Sequence, residues 1–113
     1  MPGRLRALGD SGEDAAAAWY LARGYEVVAR NWRCRDGEID LVVRRGRVTV
    51  ICEVKTRTSV AFGAPVEAVT RTKQLRLRRL AAQYLAASGT RGDVRFDVAS
   101  VLGGVVEVVE AAF

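Results

Sequence analysis

The sequence predicts a single α/β domain in which helices flank a mixed β-sheet, with the element order α-β-β-β-α-β-β. Several short segments alternate apolar and polar residues, as half-buried strands do. Two longer segments rich in alanine, leucine and arginine are typical of helices. The chain has 113 residues, the size of one domain. We therefore expect residues 1–113 to form one unit, with a flexible end at residues 1–8.

The first helix is expected to begin at Ser11, because a serine hydroxyl is a good N-cap. An alanine-rich run follows, and Gly24 is placed to end the helix. Residues 25–32 are rich in β-formers and predict the first strand, and residues 33–37 predict a polar turn that leaves Cys34 exposed. The expected apolar stripe of the helix consists of Ala15, Trp19 and Ala22.

Residues 38–55 are the most informative segment, because two period-2 alternations meet at a glycine. This pattern predicts a β-hairpin with Arg45-Gly46 as its loop. In that register Asp40 faces Ile51 and is a diagonal neighbour of Glu53, with the two backbones about 7–8 Å apart. The expected apolar face consists of Ile39, Leu41, Val43, Val48, Val50, Cys52 and Val54, and the polar face carries Glu38, Asp40, Glu53 and Lys55.

The second half of the chain predicts a mobile loop, a long helix and two further strands. The loop is expected at residues 59–65. Thr70 is suited to cap the helix, which ends near Ser88 with Gly89 as its stop. Strands are expected at residues 94–101 and 105–110, and Asp97 is expected to pair with a neighbouring basic residue such as Arg95. The expected helix stripe is Lys73, Leu77, Leu80, Ala81 and Tyr84.

The composition excludes several kinds of chemistry. The chain has no histidine, which rules out Ser-His-Asp and Cys-His catalysis and histidine-bound zinc or haem. Its two cysteines are too few for a disulfide framework, so we expect free thiols and a cytoplasmic location. No apolar run approaches the roughly 18 residues of a membrane span, and we expect no membrane partner. Hydrolytic chemistry would therefore require carboxylates, lysine and a hard metal ion.

Asp40, Glu53 and Lys55 form the candidate site for such chemistry. Mg²⁺ prefers oxygen ligands and usually keeps several waters, so two carboxylates and a backbone carbonyl, that of Val54, would hold it and leave room for a phosphate. Lys55 could orient or help deprotonate the attacking water, or offset charge on the phosphate. The alternative is a solvated polar face on which both carboxylates pair with nearby arginines.

The net charge of +5 indicates an anionic partner. Of the 18 basic residues only Lys55 and Lys73 are lysines, and arginine is suited to phosphate recognition. A GC-rich genome would produce the same bias without any function, and the basic face of the second helix could simply be solvated. The candidate nucleic-acid contacts are Thr56 and Arg57 after Lys55, and Arg71, Lys73 and Arg76 on the second helix, with Arg78 and Arg79 on or beside its other faces.

Asp40 with Glu53-Val54-Lys55 resembles the PD-(D/E)xK nuclease signature, although Ile39 stands where that signature has proline. The wider pattern resembles the YraN family of bacterial proteins, which share this departure and are similar to archaeal Holliday junction resolvases. The matching stretches cover most of residues 9–101. They are Gly12-Glu13, Gly24-Tyr25, Arg30-Asn31, Gly37-Glu38-Ile39-Asp40-Leu41-Val42, Glu53-Val54-Lys55-Thr56-Arg57, Gly63, Lys73 and Arg95-Phe96-Asp97-Val98.

The resemblance implies a restriction-endonuclease-like core and hydrolysis of DNA phosphodiester bonds with Mg²⁺ or Mn²⁺, including bonds in branched or structured DNA. It implies catalytic roles for Asp40, Glu53 and Lys55, with Glu13 directed at the same metal. A nuclease of this size could act as a homodimer. Two alternatives stay open: a nucleic-acid-binding module with a vestigial site and little turnover, and an interaction domain whose basic surface meets an acidic protein.

Overall fold

The computed structural model describes residues 4–57 and 69–113, with side chains from residue 11 onward in the first helix. It confirms the expected class and order, a five-stranded mixed sheet flanked by two helices. The expected loop at residues 59–65 lies outside the described residues. The elements are α1 (Arg4–Leu21), β1 (Glu26–Cys34), β2 (Gly37–Arg45), β3 (Val48–Arg57), α2 (Arg71–Ser88), β4 (Asp93–Leu102) and β5 (Val105–Val109).

The five strands lie side by side in chain order. Neighbouring strands are antiparallel except β3 and β4, which run parallel from Val48–Asp93 to Arg57–Leu102. A parallel pair requires a crossover connection, and α2 lies in that connection. In the part of the chain that the structure describes, neither helix is long and apolar enough to cross a membrane.

The sheet carries a packed core on each face, one under α1 and the other under α2. The prediction of an apolar and a polar hairpin face is therefore wrong for the middle of the hairpin, because Val42 and Ile51 are buried beneath α2. Ile39, expected on the face of Leu41, also packs on the α2 side. The α1-side core is Ala16, Ala17, Tyr20, Tyr25, Leu41, Val43, Val50, Cys52 and Ala99, and the α2-side core is Ile39, Val42, Ile51, Val69, Leu77, Leu80, Ala81, Tyr84, Phe96 and Val98.

Helix α1 differs from the prediction in its start and in its buried face. It begins at Arg4, so Ser11 lies inside the helix and does not cap it. Ala16, Ala17 and Tyr20 face the core, whereas Ala22 is exposed. Two contacts set this rotation of the helix: the hydroxyl of Tyr20 donates a hydrogen bond to Asp97 at 2.6 Å, and Gly12 lies so close to the side chain of Thr56 that any Cβ would collide with it.

A buried ion pair connects β4 to its neighbours. Asp97 is fully buried and accepts two hydrogen bonds from Arg95, both at 2.9 Å, which confirms the expected pairing. Its carboxylate also accepts the Tyr20 hydroxyl and, at 3.0 Å, the amide of Ala111. A buried ion pair is most favourable when the arginine makes two hydrogen bonds to the carboxylate and both carboxylate oxygens also accept further hydrogen bonds. This network joins α1 to the centre of the sheet.

The β2–β3 hairpin has a different register from the predicted one. The innermost pair is Arg45 with Val48, so Gly46 and Arg47 form the two-residue loop. Gly46 adopts a φ of 60°, which suits the first position of such a loop. The expected loop at Arg45-Gly46 and the expected pairing of Asp40 with Ile51 are therefore wrong. The observed and predicted registers differ by two residues, a shift that leaves each side chain on the same face of the sheet.

Helix α2 agrees with its prediction at both ends. The Thr70 side chain accepts the amide of Lys73 at 3.3 Å, and Gly89 adopts the left-handed conformation that ends the helix. The guanidinium of Arg78 packs over the rings of Phe96 and Phe113, with centroid distances of 4.8 and 5.6 Å. All four arginines of this helix, Arg71, Arg76, Arg78 and Arg79, are exposed, but the guanidinium of Arg78 lies on the two rings and contributes to the packing of the C-terminus.

Cys34 and Cys52 are free cysteines whose side chains both pack against the hydrophobic cores. Cys34 was expected in an exposed turn, but β1 extends through it, and its half-buried side chain packs against the α2-side core. Cys52 is fully buried in the α1-side core, as expected for inert packing. Burial raises the pKa of the Cys52 thiol well above its ordinary value, so this thiol stays protonated and unreactive.

Candidate functional site

The candidate site lies where strands β2 and β3 separate. Their regular pairing ends at Leu41 and Cys52. One residue further along, the Asp40 carboxylate accepts a hydrogen bond from the backbone amide of Val54 at 2.9 Å. The Asp40 side chain thus takes the place of a backbone carbonyl of β2, which would accept this hydrogen bond in a regular ladder. We call this opening, formed by Asp40, Glu53 and Val54, the fork.

Glu53 and Lys55 lie side by side on the face of β3 that α2 covers. They follow Ile51, which packs beneath α2, by two and four positions, and residues two apart in a strand share a face. The Lys55 ammonium is 3.3 Å from the Glu53 carboxylate, and the two side chains are 27% and 19% exposed. The observed register places Glu53 level with Asp40 rather than diagonal to it. The structure therefore brings together the three residues that the sequence singled out.

The fork concentrates negative charge. Burial, and then the negative charge of Glu53, raise the pKa of Asp40 from 3.8 to about 7. The hydrogen bond from Val54 opposes this rise, while Glu13 and Glu38 add to it. A buried carboxylate whose charge is destabilised by a neighbouring carboxylate is a natural position for a cation, because a bound cation removes the repulsion.

The donor atoms at the fork fit a hard divalent cation. Asp40 and Glu53 supply carboxylate oxygens, the ligands that Mg²⁺ prefers. A residue in a strand directs its N–H and C=O to the same neighbouring strand. Since the amide of Val54 is directed at Asp40, its carbonyl also points into the fork. Two carboxylates and one carbonyl are few enough to leave positions for water and a phosphate.

Glu13 reaches the same region from α1, on the opposite face of the sheet. Its carboxylate is 13% exposed and lies 3.9 Å from Arg30, which also bonds Asp14 at 2.7 Å. Among residues 11–57 and 69–113, no three Asp, Glu or Cys side chains stand close enough to form a ready-made metal centre. The structure thus joins Asp40 to Glu53, and Glu13 contributes through its electric field.

The expected nucleic-acid contacts separate into two groups. Lys73 lies on the first turn of α2 near Lys55, and hydrogen bonding with the Lys55 ammonium, together with its positive charge, lowers the pKa of Lys73. Arg71 and Arg76 are exposed on the same end of α2. Thr56, in contrast, packs against Gly12 on the α1 side. Arg57 ends β3 and, with Thr56, borders a small cavity of about 140 Å³.

Sequence reasoning gave no role to Asn31, although this residue lies on β1 level with Asp40. Its backbone adopts a φ of 51°, a conformation that asparagine tolerates better than most residues. The one sign in the sequence is a turn-forming residue in a segment of β-formers. Arg30 was likewise noted only as part of the resemblance to the YraN family. Its ion pairs with Asp14 and Glu13 depend on the packing of α1 against β1, which the sequence does not reveal.

Replacing Asp40 by asparagine should change how stability depends on pH. The raised pKa means that the folded protein holds a proton on Asp40 between about pH 4 and 7, where the unfolded chain has released it. Stability therefore falls as pH rises through this window. We expect Asp40→Asn to remove that fall and to be more stable than the unsubstituted protein at pH 8, by on the order of 2 kcal/mol.

The measurement is urea unfolding in EDTA from pH 4 to 9. The asparagine oxygen can still accept the Val54 amide, so the two proteins should have equal stability near pH 4. Glu107→Gln, an exposed substitution on β5, controls for the loss of one negative charge. A constant difference between Asp40→Asn and the unsubstituted protein at every pH would contradict the raised pKa.

Comparison with known proteins establishes the family. The model of the "Uncharacterised protein family UPF0102" matches residues 12–101. The UPF0102 protein of Beutenbergia cavernae is 58% identical over 97 residues, covering 85% of this chain and 82% of the relative. That of Nocardia farcinica is 52% identical over 101 residues, covering 88% and 80%. That of Clavibacter michiganensis is 51% identical over 115 residues, covering 96% and 98%. The chain belongs to the UPF0102 (YraN) family, as its resemblance predicted.

Proposed function

We propose that this protein is a nuclease that uses Mg²⁺ or Mn²⁺ to hydrolyse phosphodiester bonds of DNA, including branched or structured DNA, in the cytoplasm. The observation that carries the proposal is the fork, where Asp40 and Glu53 meet at the open end of the β2–β3 ladder with Lys55 beside them. A half-buried carboxylate pair with a lysine at its side is poorly suited to packing alone, because Glu53 raises the pKa of Asp40.

The fork residues have distinct roles in this proposal. Asp40, Glu53 and the Val54 carbonyl would hold the cation, which when bound supplies positive charge to a phosphate oxygen and makes a bound water more acidic. The amide of Val54 fixes the orientation of the Asp40 carboxylate. Glu13 strengthens the negative field at Asp40.

Lys55 is the residue proposed to act on the substrate. Its ammonium already contacts Glu53 at 3.3 Å, so it stands at the edge of the fork and carries positive charge toward an incoming phosphate. In the transition state that charge would offset the negative charge on the phosphate oxygens. A lysine can also release a proton, which an arginine cannot. In so arginine-rich a chain, this difference supports a role in handling the proton of the attacking water.

The end of α2 extends this positive surface. Arg71 and Arg76 are exposed, and Lys73 lies against Lys55. Together they form a basic border on the first turns of α2, of which Lys73 is the residue near Lys55 and Glu53. Basic residues at such a border would hold the DNA backbone by phosphate contacts that are independent of sequence. Arg78 does not belong to this surface, because it packs over Phe96 and Phe113.

Cleavage of defined DNA substrates tests the proposed activity. The purified protein is incubated with a labelled four-way junction or a linear duplex, in Mg²⁺, Mn²⁺ or EDTA. We expect cleavage in the divalent metals and none in EDTA. Asp40→Ala and Lys55→Ala should each reduce the rate by about 100-fold or more, because the first removes a ligand of the cation and the second removes positive charge that stabilises the transition state. Glu107→Gln is the matched control and should cleave normally.

The other outcomes separate the alternatives. DNA binding without cleavage in either metal would contradict the nuclease and leave a nucleic-acid-binding module. Neither cleavage nor binding would contradict both and leave an interaction domain. Lys55→Arg separates two roles of Lys55, because it keeps the positive charge: normal cleavage by this variant would contradict a role in proton transfer.

Two neighbouring arginines of α2 provide a test of the basic surface. Arg76→Ala should weaken binding to duplex DNA and lower the slope of log affinity against log salt by about 1, the loss of one phosphate contact. Arg78→Ala should leave that slope unchanged and lower the free energy of unfolding by about 1 kcal/mol, because it removes a stacked guanidinium. Equal effects of both substitutions on the salt slope would contradict this assignment.

A further inference from the structure

Strands β1 and β2 both change face at the fork. Arg30 pairs with Leu41, and both lie on the α1 side, where Leu41 joins the α1-side core and Arg30 bonds Asp14. Trp32 pairs with Ile39, and both pack on the α2 side. In a regular strand, residues two apart share a face. The alternation is therefore interrupted in both strands at the positions between these pairs.

Asn31 and Asp40 occupy the two interrupted positions. Asn31 lies between Arg30 and Trp32 on β1, and Asp40 between Leu41 and Ile39 on β2. The φ of Asn31 is 51°, far from the extended conformation of a strand. Among residues with a side chain, asparagine is one of the few that enters this left-handed region readily. Asn31 thus carries the change of face on β1.

The change of face gives the Asp40 side chain its unusual direction. On a regular strand this side chain would stand perpendicular to the sheet. It instead reaches across toward β3 and accepts the amide of Val54 at 2.9 Å. This direction keeps the carboxylate level with Glu53, whereas a regular β2 would continue its ladder with β3 past Leu41 and Cys52.

We infer that Asn31 is a positioning residue, whose left-handed backbone on β1 turns the paired segment of β2 so that the Asp40 carboxylate lies in the fork on the Val54 amide. The effect of Asn31 on catalysis rests on the proposed nuclease function. Its effect on the position of the Asp40 carboxylate does not depend on that function. Asn31 acts through Asp40 and does not touch the substrate. A glycine should replace it without loss, because glycine adopts the same φ, whereas alanine and valine should not.

Amide hydrogen exchange measured by NMR tests the positioning in metal-free protein. The Val54 amide reports directly on the Asp40 carboxylate, and Asp40→Ala, which removes that acceptor, gives the unprotected reference. We expect Asn31→Ala to lower the protection of the Val54 amide by tenfold or more, while the core amides of Ile51 and Val98 keep theirs. Asn31→Gly should restore the protection of Val54. Asn31→Val should resemble Asn31→Ala, and if it fails to fold, Asn31→Ala decides.

Two results would overturn the inference. Protection of the Val54 amide that is unchanged in Asn31→Ala would show that Asp40 keeps its place without the left-handed residue. An equal fall at Val54, Ile51 and Val98 would show general destabilisation instead of local positioning.

A cleavage assay distinguishes the failure of this inference from the failure of the proposed function. If the unsubstituted protein cleaves DNA, Asn31→Ala should lower kcat at least tenfold with unchanged DNA affinity, and Asn31→Gly should recover it. If the unsubstituted protein does not cleave, the proposed function fails, and the exchange experiment still decides the role of Asn31.

Discussion

The amide of Val54 needs an acceptor where β2 leaves β3, because a backbone N–H that is shielded from water without a partner costs free energy. The Asp40 carboxylate meets this need at 2.9 Å. The same hydrogen bond ends the β2–β3 ladder, aims a carboxylate into the opening and places it level with Glu53. The geometry of the candidate site follows from this one hydrogen bond, in which a side-chain carboxylate accepts where a backbone carbonyl would accept in a regular ladder.

The charges around the fork are unequally compensated. Glu53 contacts Lys55 at 3.3 Å, and Glu13 lies 3.9 Å from Arg30. Asp40 bonds an uncharged amide, and burial together with Glu53 raises its pKa to about 7. A proton and a divalent cation would therefore compete for this carboxylate near neutral pH. Binding of the cation should strengthen as the pH rises through about 7 and level off above it, where Asp40 is ionised without the cation.

The sequence was informative where local chemistry determines the outcome. Thr70 and Gly89 marked the ends of α2 because capping depends on a few neighbouring residues. Asp97 was paired correctly because Arg95 lies two positions away on the same strand face. Glu53 and Lys55 were placed on one face by their period-2 spacing alone, and the structure puts them in contact.

The remaining errors come from tertiary contacts that local patterns do not encode. The buried face of α1 depends on the bond from Tyr20 to Asp97, which are 77 positions apart. The second core, under α2, was missed because the apolar Val42 and Ile51, one in each alternation, stand among the residues that were assigned to a polar face. Lys73 was set beside Lys55 by the packing of α2 on the sheet. Asn31 escaped notice because its role depends on its backbone conformation.

Paramagnetic line broadening by Mn²⁺ tests most directly whether the fork is a cation site. The protein would be titrated with Mn²⁺ at about pH 8 while the amide signals are followed by NMR. The account predicts that the amide signals of Val54 and Lys55 are the first to broaden as Mn²⁺ is added. Combined Asp40→Asn and Glu53→Gln substitutions should abolish this broadening, and Glu107→Gln should not. Broadening that is absent at the fork, or that persists after both carboxylates are removed, would contradict the account.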